Sequence, residues 1–182
     1  MNTNENINII LLNRERRTIY QKKLVKEYKK TLITFKLNIP GPQKDSQLFR
    51  RIFNNGLTQL KNVLKKDSIN IVFERAIFRD TGPEAFIIVD AQAEKIKILC
   101  IEIEEKDGLG RIYDFDVFDS SGKNIGREIV GKNQRKCFLC DEYVWVCSRN
   151  RTHSVEEMLQ YIHNTAQIYF KNKKLREEFK CH

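Results

Sequence analysis

The chain has 182 residues, with 33 Lys and Arg against 24 Asp and Glu, giving a formal net charge of +9. With 41% hydrophobic and 10% aromatic residues it has the apolar content of a folded core, which excludes a chain disordered throughout. No apolar run approaches the ~20 residues of a membrane span.

The amino-terminal Met1-Asn2-Thr3-Asn4-Glu5 lacks the basic start of a signal peptide. Five cysteines, an odd and clustered set, do not make a secreted disulfide framework. The expectation is a cytoplasmic protein of one domain, residues 1–182, needing no membrane. Its positive field suits phosphates, nucleic acid or an acidic protein.

After a polar start the chain turns apolar at Ile9-Ile10-Leu11-Leu12. Asn13 is placed to cap a helix that opens Arg14-Glu15-Arg16-Arg17, with Tyr20, Leu24 and Val25 or Tyr28 at helical spacing. Its basic outer face is either a solvated helix side or a phosphate-binding one. Thr31 to Ile39 is rich in β-formers and reads as a strand, ended by Pro40-Gly41-Pro42. Apolar residues then recur at Leu48, Phe49, Ile52, Phe53, Leu57, Leu60, Val63 and Leu64, an amphipathic helix with Asp45 or Ser46 as N-cap. A glycine turn leading to a helix start, with Lys44, Arg50 and Arg51 nearby, forms an anion cradle in outline. The spacing of a Walker loop is absent.

Strands are expected at Ile69–Phe78 and Ala85–Asp90, then a short helical turn at Ala91–Glu94. Lys95–Glu104 reads as a further strand, turned by Glu105–Gly110 into a hairpin with the strand that follows. That last strand, Ile112 to Asp119, carries the clearest chemical signal. Side chains alternate across a strand, so Tyr113, Phe115 and Val117 share one face and Asp114 and Asp116 the other. Two carboxylates so close repel unless a cation lies between them, and Mg²⁺ takes oxygen ligands of this kind. Glu102 or Glu104 is the available third carboxylate. The bland reading is a half-exposed strand with solvated aspartates.

Beyond Lys123–Arg127 comes Cys137-x2-Cys140-x6-Cys147-x5-His153, within a segment of about 135–154. Three thiolates and an imidazole satisfy tetrahedral Zn²⁺, in a structural site because no position is left open. The plain alternative is three small core residues. Ser154-Val155-Glu156-Glu157 is a capping box that opens a final helix with Met158, Leu159, Ile162, Ala166 and Tyr169 or Phe170 on its apolar stripe. The fold class is α+β, with a largely antiparallel sheet and packed helices.

Several blocks occur together in one order: Arg14-Glu15-x-Arg17, then Phe35-x-Leu37-Asn38-Ile39-Pro40-Gly41-Pro42-x-Lys44, then Arg111-x2-Asp114-x-Asp116-Val117. Arg135-x-Cys137-x2-Cys140 and Cys147-x-Arg149-x-Arg151-x-His153-Ser154 complete the set. In this the chain resembles the holo-acyl-carrier-protein synthases of citrate lyase, also called apo-citrate lyase phosphoribosyl-dephospho-CoA transferases, over roughly residues 10–165. Tyr143-Val144-Trp145-Val146 is bulkier than the small residues expected before the third cysteine.

The resemblance implies a nucleotidyltransferase-like fold and a single reaction. A serine of the citrate lyase acyl carrier protein attacks the α-phosphorus of 2′-(5″-triphosphoribosyl)-3′-dephospho-CoA, pyrophosphate leaves, and a phosphodiester remains. It further implies Mg²⁺ at Asp114 and Asp116, and binding of the triphosphate by Arg14, Arg17, Lys44, Arg111 and Arg135. Arg127 is added to that group from its charge and proximity. Rival readings of the same residues are a basic nucleic-acid-binding protein, a metal-dependent nuclease with a zinc knuckle, and a non-catalytic partner-binding protein.

Overall fold

The computed structural model describes the backbone of residues 3–180 and the side chains of residues 9–176. Met1 and Asn2, the first residues of the signal-peptide reading, and the last two residues, Cys181 and His182, lie outside the described residues.

Four strands form one antiparallel sheet: β1 (Thr31–Leu37), β2 (Ile71–Ile77), β3 (Glu84–Val89) and β4 (Tyr113–Phe118), in the order β2-β3-β1-β4. Apart from an irregularity between Ile71 and Phe73 in β2, side chains alternate along the strands, so each face has its own partner. Ile33, Phe35, Ile87, Val89, Tyr113, Phe115 and Val117 build the main core with α2 (Gln47–Lys66), α3 (Ala93–Lys106) and α5 (Val155–Lys180). On the opposite face Leu32, Phe86 and Ile88 meet Leu24 and Val25 of α1 (Thr3–Tyr28). The sheet is therefore sandwiched, and α1 covers only part of its second face.

Helix α2 follows the expected pattern. Ser46 is its N-cap, its hydroxyl accepting from the Phe49 amide at 3.1 Å, and Phe49, Ile52, Phe53, Leu57, Leu60 and Leu64 are buried. Gly56 is required in mid-helix because a Cβ there would lie 2.5 Å from the Phe35 ring. The capping box of α5 also forms, with Glu157 and Ser154 exchanging bonds at 2.8 and 3.1 Å.

Two expectations fail. The stretch Lys95–Glu104 is no strand and makes no hairpin with β4; it lies in α3. Ile101-Glu102-Ile103-Glu104 alternates like a strand, but the buried positions are Ala93, Ile96, Lys97, Cys100, Ile101, Ile103 and Glu104. That is helical spacing disguised by two buried charged residues, each satisfied by a specific partner. Lys97 donates to the Phe115 carbonyl at 2.8 Å, and Glu104 accepts from the Phe115 amide at 3.2 Å. Secondly, Asn13 caps nothing, because α1 already runs from Thr3. Its side chain instead donates to the Thr81 hydroxyl in the β2–β3 loop. The cysteine segment also contains a short helix, α4 (Val144–Asn150), about which the sequence reading is silent.

Candidate functional site

Strand β4 keeps Tyr113, Phe115 and Val117 in the core and leaves Asp114 and Asp116 half-buried on the other face. Register then decides their surroundings. In the antiparallel ladders Lys36 stands opposite Asp114 on one side and Glu84 on the other, and Thr34 stands opposite Asp116. The Lys36 ammonium donates to Asp114 and, at 3.3 Å, to Asp116. Arg135 approaches the other Asp114 oxygen at 3.6 Å. Burial disfavours the charged form of Asp114, but Lys36 and Arg135 outweigh it and hold the carboxyl below the usual aspartate range. The stability this lends is present above that range and lost as pH falls through the lowered value.

The part of the sheet that α1 leaves uncovered is the wall of a cavity of about 320 Å³. Lys36 and Asp114 line it from the sheet, Arg14 and Arg17 from α1, Lys44 from the loop before α2, and Glu84 from β3. Asn13 and Thr81 lie across its mouth. Glu84 is answered by Arg17 at 3.7 Å and Arg79 at 3.6 Å, yet burial still raises its pKa above the ordinary value. Lys44 donates to the Ile39 carbonyl, and burial together with the nearby Arg14 charge lowers its pKa. Among the described residues no carboxylate forms an ion pair with Arg14 or Lys44. Two unanswered cations crowded at one wall favour an anionic ligand.

Arg14, Arg17, Lys44 and Asp114 therefore meet in one cavity, with Asp116 beside it. The anion cradle keeps only Lys44 of its three cations. Arg50 is held by Asp45 at 2.8 Å, and Arg51 lies over the Phe170 ring at 3.9 Å. Arg111, Arg127 and Arg135 line a neighbouring cavity of about 200 Å³ with Glu104. Arg111 donates to the carbonyls of Lys136 and Cys137. Arg127 and Arg135 each pair with the buried Glu104 at 2.6 Å, and Arg127 also pairs with Glu105 at 2.9 Å. Glu104 is thus no third metal ligand but the shared counter-charge of two arginines. Replacing it with alanine strands both cations in a buried site, and Glu104→Ala should lower unfolding free energy by about 3–5 kcal/mol in denaturant melts. Lys36 and Glu84 are the site residues that sequence reasoning missed. Lys36 is the lone charge of β1, which marks it as unusual, but its partners are set by the register.

The cysteine segment folds as a second cluster. One ligand atom from each of Cys137, Cys140, Cys147 and His153 lies within 4.8 Å of the others. Cys140 Sγ is 3.4 Å from Cys147 Sγ and 3.3 Å from His153 Nε2. No disulfide joins them. The Cys137 amide donates to the Glu142 carbonyl at 2.8 Å, which closes the knuckle turn. Burial opposes ionisation of Cys137, but the backbone amides of Leu139 and Cys140 pull its pKa down. The Cys147 thiol is pushed up to about 11 by burial and its hydrogen bonds to the other two sulfurs. A tetrahedral ion with bonds of about 2.0–2.3 Å spaces its ligand atoms by roughly 3.3–3.8 Å, the range of the Cys140 contacts, so the donor set fits a structural metal. Tyr143 and Trp145, the bulky departures noted above, are 42% and 54% exposed and leave the cluster undisturbed.

Together these features define an α+β protein with an acid pair at a basic cavity and a separate Cys/His cluster. Comparison with known proteins makes the class specific: residues 5–169 match the family described as apo-citrate lyase phosphoribosyl-dephospho-CoA transferase. The proteins of that name from Citrobacter koseri and Shigella boydii serotype 18 are 35% and 34% identical over 150 residues, covering 82% of each chain. That from Escherichia coli O157:H7 is 34% identical over the same share. The chain belongs to this transferase family, and the nucleic-acid and nuclease readings are not favoured. No helix among the described residues is long and apolar enough to cross a membrane.

Proposed function

We propose that this enzyme attaches the triphosphoribosyl-dephospho-CoA group to a serine of the apo-acyl carrier protein of citrate lyase, in the cytoplasm. The observation that carries the reading is the convergence of Arg14, Arg17 and Lys44 on one cavity with Asp114 in its wall. The serine oxygen forms a bond to the α-phosphorus, the bond to pyrophosphate breaks, and the serine proton passes to solvent. Arg14 and Lys44, which have no carboxylate partner among the described residues, receive the triphosphate, and Arg17 shares itself between Glu84 and the substrate. Arg135 holds Asp114 in place. An acidic carrier is drawn by the net charge of +9.

Asp114 and Asp116 fit Mg²⁺ in donor chemistry, being hard oxygens, 28% and 37% exposed, at the edge of a hydrated cavity. Mg²⁺ held there by Asp114 and Asp116 would supply charge neutralisation to the substrate's phosphates. The cysteine cluster holds Zn²⁺ as a structural brace.

Mass spectrometry of the apo-carrier, after incubation with enzyme, the triphosphoribosyl precursor and Mg²⁺, should show the added group. An unmodified carrier rejects the proposal. Arg14→Ala and Lys44→Ala should each weaken precursor binding about 10- to 100-fold, the value of one charge-assisted hydrogen bond, read as a raised KM.

A further inference from the structure

Lys36 is the residue the assigned chemistry does not use, and it occupies the most contested position in the sheet. Directly opposite it are Glu84 on β3 and Asp114 on β4, and Asp116 is one alternation further along. The chain therefore supplies its own cation at the point where two carboxylates need one. The ammonium is on a flexible four-carbon stem and 32% exposed, and the same side chain lines the basic cavity. A lysine cation can rotate away from an acid pair, whereas a planar, forked guanidinium leaves less readily.

We propose that Lys36 is a displaceable counter-ion: it closes the Asp114/Asp116 pair until a divalent cation takes its place, and its freed ammonium then binds the substrate's phosphates in the adjoining cavity. Free enzyme is spared two unscreened carboxylates, and metal occupancy is coupled to the arrival of a polyphosphate. A phosphate-bearing ligand gives the ammonium a new partner as it loses the old one. The coupling is reciprocal, so a bound polyphosphate strengthens metal binding by the same factor that metal strengthens polyphosphate binding.

This inference rests on the metal reading of the acid pair, and the test separates the two. Mn²⁺ binding is measured by electron paramagnetic resonance on wild-type enzyme, Lys36→Met and Asp116→Asn, first without substrate and then with inorganic triphosphate. Lys36→Met should bind Mn²⁺ about tenfold or more tightly than wild type when alone, since its competitor is gone. Added triphosphate should then tighten Mn²⁺ binding less in Lys36→Met than in wild type. Equal Mn²⁺ affinity in wild type and Lys36→Met, with loss in Asp116→Asn, overturns the role of Lys36 and leaves the metal site standing. No binding to any of the three overturns both.

A second readout needs no variant. In wild type, Mn²⁺ together with triphosphate should change the reductive-methylation rate of Lys36 relative to triphosphate alone, followed by peptide mass spectrometry. An unchanged rate at saturating Mn²⁺ shows that the ammonium never moved, and overturns the proposal.

Discussion

Asp114→Asn and Asp116→Asn should each reduce transfer to the carrier by about a hundred- to a thousandfold while leaving the circular dichroism spectrum unchanged. The magnitude follows from what a metal at a phosphoryl centre supplies, several kcal/mol of charge stabilisation at about 1.4 kcal/mol per tenfold in rate. Asparagine keeps the size and one oxygen of aspartate, so β4 retains its pairing with β1. What disappears is the negative charge that Lys36 and Arg135 now face. The loss should therefore fall on kcat at saturating precursor. Raising Mg²⁺ should restore part of the activity in the Asp116 variant, whose residue is the more exposed of the two. Full activity in either variant would remove that residue from the metal site.

Removal of the ion from the cysteine cluster should have the largest effect on stability. Purified protein should contain about one zinc per chain by elemental analysis. Cys140→Ser or prolonged chelation should release it and lower the melting temperature. The Cys140 sulfur is the one that contacts both another thiol and the imidazole, so its loss removes one ligand and two of the close contacts in the cluster. The free energy of structural zinc sites in small peptides, about 10–16 kcal/mol, sets the ceiling; a cluster attached to a domain with a core of its own should show several kcal/mol of it.

The consequence reaches the acid pair through the backbone. Arg135 is two residues before Cys137, and its carbonyl accepts from the Val144 amide at 3.0 Å at the other end of the knuckle. Loosening the knuckle should thus disturb Arg135 and lower transfer, by less than the loss of either aspartate. A protein free of metal and thermally unchanged by chelation would reject the zinc site.

Sequence alone determined those parts of the molecule whose chemistry is local. The apolar stripe of α2, its Ser46 cap, the capping box of α5 and the two-sided alternation of β4 all follow from neighbours within a few residues. So does the spacing that brings Cys137, Cys140, Cys147 and His153 within reach of one another. The order of blocks along the chain was enough to place it in its family.

Tertiary structure decided what depends on partners distant in the chain. The helix α3 was hidden because Lys97 and Glu104 are buried, and only β4 and the arginines beyond it explain why charged residues can lie inside. Arg111, Arg127 and Arg135 carry the same charge as Arg14 and Lys44, yet Glu104 and nearby carbonyls place them in the neighbouring cavity, where only Arg135 reaches Asp114. Lys36 became visible as a site residue only once the register set it against Asp114 and Glu84. A periodic pattern fixes which face a side chain occupies; strand order and register, which arise from packing across the whole sheet, decide whom it meets there.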